Sequence, residues 1–114
     1  MKKFMVFYKA PIEEFQKAMK DFTPEQQKQS MSDWMAWMNA NEKSIADGGA
    51  PLGKTTRVDA KGVSASSNDI GGYTIVQANS PEDAAKLFGK DHPHLKMMPK
   101  AWIEITEVMP MPEM

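Results

Sequence analysis

Lys3-Phe4-Met5-Val6-Phe7-Tyr8 is a run of aromatic and β-branched side chains closed by Lys9-Ala10-Pro11, and it predicts a first strand. Phe4, Val6 and Tyr8 share one face of that strand and Met5 and Phe7 the other, so both faces are apolar. Ile12, Phe15, Met19 and Phe22 recur at intervals of three and four, which predicts a short helix or helical lid over 12–22. Thr23-Pro24-Glu25-Gln26 then restarts the chain. Thr23 suits an N-cap, Pro24 the first helical position, and Gln26 completes a capping box for a helix running to about Lys43. Met31, Trp34, Met35 and Met38, extended by Ile45, form the stripe expected to face the core. Trp37 lies about 100° off that stripe, in a row with Asp33 and Asn41. An indole beside a carboxylate and an amide there is a site wall, a subunit contact, or a tryptophan packed under a loop.

Ala46 to Gly53, with its glycines and Pro51, is the expected helix exit. Thr55–Asp59 and Val63–Ser67 alternate weakly and predict two strands joined through Ala60-Lys61-Gly62, followed by a polar loop to Asp69. Gly71-Gly72 opens the clearest interior strand, Tyr73 to Ala78. Ser80-Pro81-Glu82-Asp83 repeats the device at Thr23 and starts a short helix whose apolar face is Ala84, Leu87 and Phe88. A polar stretch from Lys90 to Lys100 holds both histidines, a last strand runs from Ala101 to Met109, and residues 110–114 form an irregular tail.

The order β–α–β(β)–β–α–β predicts one α+β domain over residues 1–114: a ferredoxin-like antiparallel sheet with two main helices on one face. Two short helices cover only one side of a sheet. The strands are nevertheless apolar on both sides, with Tyr73 and Ile75 against Val76, and Trp102 and Val108 against Ile103 and Ile105, and this predicts a homodimer packed sheet to sheet.

Composition narrows the chemistry. Fourteen Lys plus Arg against fifteen Asp plus Glu give a net charge of -1, which argues against a nucleic-acid partner. The absence of cysteine removes disulfides, Cys-based metal centres and thiol nucleophiles. The apolar run Phe4 to Tyr8 is shorter than the about 7–15 residues of a signal peptide and the about 20 of a membrane helix, so a cytoplasmic protein without a membrane partner is expected. Eleven methionines in 114 residues imply either a Met-rich core or a deformable apolar pocket or interface.

His92 and His94 are the sole imidazoles and the side chains expected to titrate nearest neutral pH. Pro93 biases His92 to extended backbone, and in extended chain both rings point into one pocket. One histidine then acts as general acid or base with Asp69 or Asp33 orienting it, or the two serve a loop structurally. A metal site is not expected, because His-x-His here has no defined third ligand. No Gly-x-Ser-x-Gly elbow surrounds Ser64, Ser66 or Ser67, and neither Gly-Gly pair belongs to a phosphate loop.

The block Gly71-Gly72-Tyr73-Thr74-Ile75-Val76-Gln77-Ala78 followed by Ser80-Pro81-Glu82-Asp83-Ala84 resembles the YCII-related family of small dimeric α+β-barrel proteins. The turn His92-Pro93-His94-Leu95, the terminal strand Ile103 to Met111, the pair Trp34 and Trp37, and Asp47 to Gly53 are similar to one branch of it. Many relatives carry Asp-Gly-Pro-Phe before the Gly-Gly-Tyr strand; here Asn68-Asp69-Ile70-Gly71 retains the acid alone. Some place a histidine on the first helix, paired with an aspartate, and this helix has none. The resemblance implies a dimeric barrel. The expected site is an apolar pocket between sheet and helix, with His92 and His94 at its mouth, Asp69 as catalytic partner, and Trp37, Asp33, Asn41 and Tyr73 holding a small molecule. Two functions remain open at this point: a cofactor-independent enzyme moving a proton, or a non-catalytic binding or assembly module.

Overall fold

The computed structural model describes residues 1–111, so the end of the expected tail, 112–114, lies outside the described residues. The chain runs β1 (Lys2–Lys9), α1 (Ile12–Asp21), α2 (Pro24–Ala40), β2 (Ile45–Pro51), β3 (Thr55–Asp59), β4 (Gly62–Ser66), β5 (Ile70–Ala78), α3 (Pro81–Ala85), α4 (Pro93–Met97) and β6 (Trp102–Glu107). Strands β2, β5, β1 and β6 pair antiparallel in that order, which is the ferredoxin-like arrangement, while β3 and β4 form a separate hairpin. The α+β class with helices on one face is as the sequence predicts.

Alternation along the strands sorts the core. Phe4 and Val6 of β1 stand beside Val76 and Thr74 of β5, all fully buried, with Tyr8, Ala78 and Ala84 completing the cluster. Ile103 and Ile105 of β6 pack onto it from the other side of β1. Met5, Phe7, Tyr73, Ile75 and Trp102, at the alternate positions, stay half-exposed. At the end of that face Lys9 bridges Asp69 at 3.3 Å and Glu104 at 3.1 Å, and the Trp102 indole donates to Glu104 at 2.8 Å.

The capping box forms as expected: the Gln26 amide donates to Thr23 Oγ1 at 3.1 Å and the Thr23 amide to Gln26 Oε1 at 2.9 Å. Three local expectations need correction. The first helix after it stops at Ala40 rather than Lys43, and a 3-10 turn over Glu42–Ser44 follows. Most of the expected helix exit, 46–53, is an edge strand instead, Ile45–Pro51. That strand is bulged twice against β5; Gly49, at φ 72°, takes the left-handed backbone the bulge requires, and a side chain there would collide with the Tyr73 carbonyl.

The third correction concerns which side of α2 faces in. Met31 and Met35 are 68% and 61% exposed, so of the predicted stripe only the Trp34 and Ile45 side packs against the core. Ser30, Asp33, Trp34, Trp37, Met38 and Asn41 are the less exposed positions, a face turned about 80° from the predicted one. The cause is tertiary: α2 packs against α4, and the Ser30 hydroxyl donates to Met97 Sδ at 2.9 Å. Trp37 therefore lies inside the fold's seam rather than on its flank.

Candidate functional site

Pro93 lacks an amide hydrogen and fixes its own φ, so it can only open a helix here, which makes His92 the N-cap of α4. His92 sits at φ −59°, ψ 140°, and its Nδ1 accepts the His94 backbone N–H at 3.1 Å. The stretch expected as extended loop is thus a capped helical turn. Its Leu95 and Lys96 amides both donate to the His92 carbonyl at 3.0 Å.

Both rings are nonetheless buried against Tyr8, each residue 3% exposed, although the extended chain from which their spacing predicts a shared direction is replaced by the helical turn. His94 Nε2 lies 2.8 Å from the Lys9 carbonyl; a carbonyl only accepts, so this nitrogen carries the proton. By the same logic His92 Nδ1, an acceptor, leaves the neutral ring's proton on Nε2. That Nε2 is a buried side-chain polar atom with no hydrogen-bond partner among the described residues.

Aromatic rings surround it. Tyr8 stacks on His92 at 5.4 Å and 20°, while Trp37 at 4.7 Å, Trp34 at 4.9 Å and Phe88 at 5.3 Å close the other sides. The Trp37 indole is itself pinned, donating to the Leu87 carbonyl at 2.9 Å. Below, Thr74 Oγ1 gives its single proton to the Gly48 carbonyl at 3.2 Å, so the 2.8 Å contact with Tyr8 is donated by the tyrosine.

Burial sets the protonation states. His92 is pushed down to about 4 by desolvation first and by the neighbouring His94 second. His94 is also lowered by desolvation, with the backbone at Lys9 and Trp102 pulling it partly back. Tyr8 is pushed up to about 12 because burial outweighs its bond to Thr74. At neutral pH the cluster carries no charge, and His92 presents an N–H donor.

An open cleft of about 520 Å³ lies over this cluster, between α2 and residues 87–96, lined among others by Asp33, Trp37, Leu87, Asp91, His92 and Lys96. The structure therefore brings together four of the seven residues singled out in the sequence: His92, His94, Trp37 and, at the rim, Asp33. Asp33 accepts from Gln29 at 2.9 Å and faces Lys96 at 3.9 Å, so it does not orient an imidazole. Asp69 stands apart from both histidines, its carboxylate on Lys9. Tyr73 is on the opposite face of the sheet, and Asn41 donates to the Trp37 carbonyl one turn back at 2.8 Å, supporting the helix end. Sequence reasoning missed Tyr8, Trp34, Phe88 and Thr74 as site residues; the available signal was Tyr8, a hydroxyl on the inward face of β1 beside Phe4 and Val6. Among the described residues no group of three His, Asp or Glu gathers as a metal site, and no helix is long and apolar enough to cross a membrane.

No family model and no curated protein matches this chain. Among solved structures it is similar to the 5-chloro-2-hydroxyhydroquinone dehydrochlorinase of Burkholderia phenoliruptrix AC1100, determined in complex with 2,5-dihydroxybenzoquinone. The TM-score is 0.50 and the identity 18%, over 90% of each chain. At that identity the likeness is one of fold.

Proposed function

We propose that this protein is a YCII-like, homodimeric, cytoplasmic α+β-barrel enzyme that acts on a small oxygenated ring or carbonyl compound in the cleft over His92. The observation that carries this reading is the buried, unpartnered His92 Nε2 among four aromatic rings. A buried donor without an acceptor costs about 1–3 kcal/mol, which a ligand oxygen would relieve once a ring that closes Nε2 off from the cleft, such as Trp37 at its wall, moves aside. The same N–H stabilises negative charge that develops on that oxygen when a proton is removed elsewhere, and a neutral imidazole does so without a cofactor. Trp37 and Leu87 supply the apolar wall, and Asp91, the cleft carboxylate outside the Gln29–Asp33–Lys96 contacts, takes the proton in this reading. Binding of a hydroxylated quinone by a protein of the same fold supports the ligand class.

The competing reading, a non-catalytic binding module, is favoured by one fact: neither imidazole has a carboxylate partner, since Asp69 and Asp33 are engaged elsewhere. Titration with 2,5-dihydroxybenzoquinone, followed by amide and imidazole NMR, addresses both. Saturable shifts at His92, Trp37 and Leu87 are expected, with binding at least about tenfold weaker in His92→Phe, which keeps a ring and removes the donor. Shifts confined to other surfaces would contradict the assignment of the cleft. Binding without any turnover of hydroxyquinone or hydroquinone substrates favours the module.

A further inference from the structure

A second hollow adjoins the cleft over His92. It has a volume of about 270 Å³ and lies between α2 and α4, with Phe22, Ser30 and Met97 in its wall. Asp33, Pro93 and Lys96 line both spaces, so the two are one groove that runs past the Asp33–Lys96 pair.

This hollow holds more free donors than acceptors. The Gln26 side chain accepts the Thr23 amide at its oxygen, at 2.9 Å, while its NH2 has no acceptor among the described residues. The Ser30 hydroxyl gives its proton to the Met97 thioether at 2.9 Å, and such a sulfur is a weak acceptor. Lys96 Nζ stands 3.9 Å from Asp33 Oδ2, too far for a hydrogen bond, and its ammonium has no closer partner among the described residues. On the accepting side, Asp33 Oδ1 is already taken by the Gln29 amide at 2.9 Å. An ammonium, an amide and a hydroxyl thus border one space that lacks a strong acceptor.

A carboxylate supplies what is missing. It accepts at two oxygens, meets the Lys96 ammonium at charge-assisted bonding distance, and offers Ser30 a stronger acceptor than sulfur. Asp33 keeps the Gln29 amide when Lys96 turns to the ligand. Phe22, Pro93 and Met97 leave apolar surface for the carbon chain that carries the acid. Ser30 and Trp37 lie seven residues apart on α2, about 10 Å along its axis, and Asp33 with Lys96 stands midway. An acid on a short arm of a ring lying in the cleft spans the remaining distance of about 5 Å.

We propose that this hollow is the acid-binding subsite of the groove: Lys96, Ser30 and Gln26 hold a carboxylate, and the ligand is an oxygenated ring bearing a short acidic side chain. The proposal rests on the reading of the His92 cleft as a ligand site and narrows its ligand class.

Titration of the full chain with 2,5-dihydroxyphenylacetate and with its methyl ester tests it, followed by calorimetry and by amide and imidazole NMR. The two compounds share a ring and differ in charge. The acid is expected to bind at least about tenfold more tightly than the ester, and Lys96→Met, which keeps the apolar stem, to abolish the difference. Lys96→Arg is expected to restore most of it, and Ser30→Ala to weaken the acid about threefold. Shifts at Ser30 and Met97 accompany those at His92 when the acid binds. Equal binding of acid and ester, with His92 still shifted, overturns the subsite and leaves the cleft standing. A preference for the acid that survives Lys96→Met overturns the assignment of Lys96 in the same way. Shifts at Ser30 and Met97 without any at His92 overturn the cleft reading and the joined groove with it. Binding of neither compound overturns both.

Discussion

Unfolding free energy is expected to fall by about 3 kcal/mol between pH 6.5 and pH 4 on account of His92 alone. The folded ring is held down to about 4 by burial, against 6.5 when it is exposed. The unfolded chain therefore binds more protons throughout that window, and stability rises with pH across it. The contribution is fully present above about 6.5, and it is lost as pH falls toward the folded value. His94 adds in the same direction, since burial lowers it too. Denaturant titrations at pH 6.5, 5.5 and 4.5 measure the slope, and His92→Gln isolates its source. The variant is expected to lose most of the difference between pH 6.5 and 4.5, above the range where exposed carboxylates dominate. An unchanged slope in the variant would mean that His92 is solvated and titrates as it does in the unfolded chain.

Gly49→Ala should be the most damaging single methyl in the chain, costing about 3–5 kcal/mol or detaching β2 from β5. Two independent penalties coincide there. The backbone sits at φ 72°, where an L side chain is strained, and the added carbon would overlap the Tyr73 carbonyl, which belongs to the rigid centre of the sheet. Relief requires the edge strand to move away, and that movement pulls the Gly48 carbonyl off Thr74 and loosens the Tyr8 hydroxyl beneath the histidines. Gly53→Ala is the matched control, because nothing lies within 4 Å of the position its side chain would take, and a change within about 0.5 kcal/mol is expected. Thermal unfolding of the pair measures the contrast. Equal stability of the two variants would show that β2 is not bound to β5 in this register.

These effects explain why the fold was easier to read from the sequence than the site. Strand alternation in β1 and β5 and the caps at Thr23 and Ser80 are local signals, each written within a few residues, and each appears where the pattern places it. The inward face of α2 is not local. Periodicity put Met31 and Met35 inside; packing of α4 against the helix turned the inner face toward Ser30 and Trp37 instead. Flexible methionines tolerate that exposure on a helix, whereas the two indoles gain ring contacts with His92 at 4.7 and 4.9 Å. Glycine and proline between 46 and 53 look like punctuation, yet a bulged edge strand uses the same residues. At the site, the common burial of His92 and His94 was legible, though from an extended backbone that the structure replaces with a capped helical turn. Their neighbours were not, because Asp69 is claimed by a lysine on β1, and Tyr8 reaches the cluster through a strand 84 residues before His92.

The direct test of the central claim is a titration of the His92 imidazole by nitrogen-15 NMR from pH 4 to pH 8. A neutral ring with Nδ1 bare and Nε2 protonated down to about pH 5 is what a buried imidazole with Nδ1 accepting and Nε2 unpartnered requires. A midpoint near 6.5 with the two tautomers in exchange would contradict it, and with it the assignment of the cleft over His92 as the site.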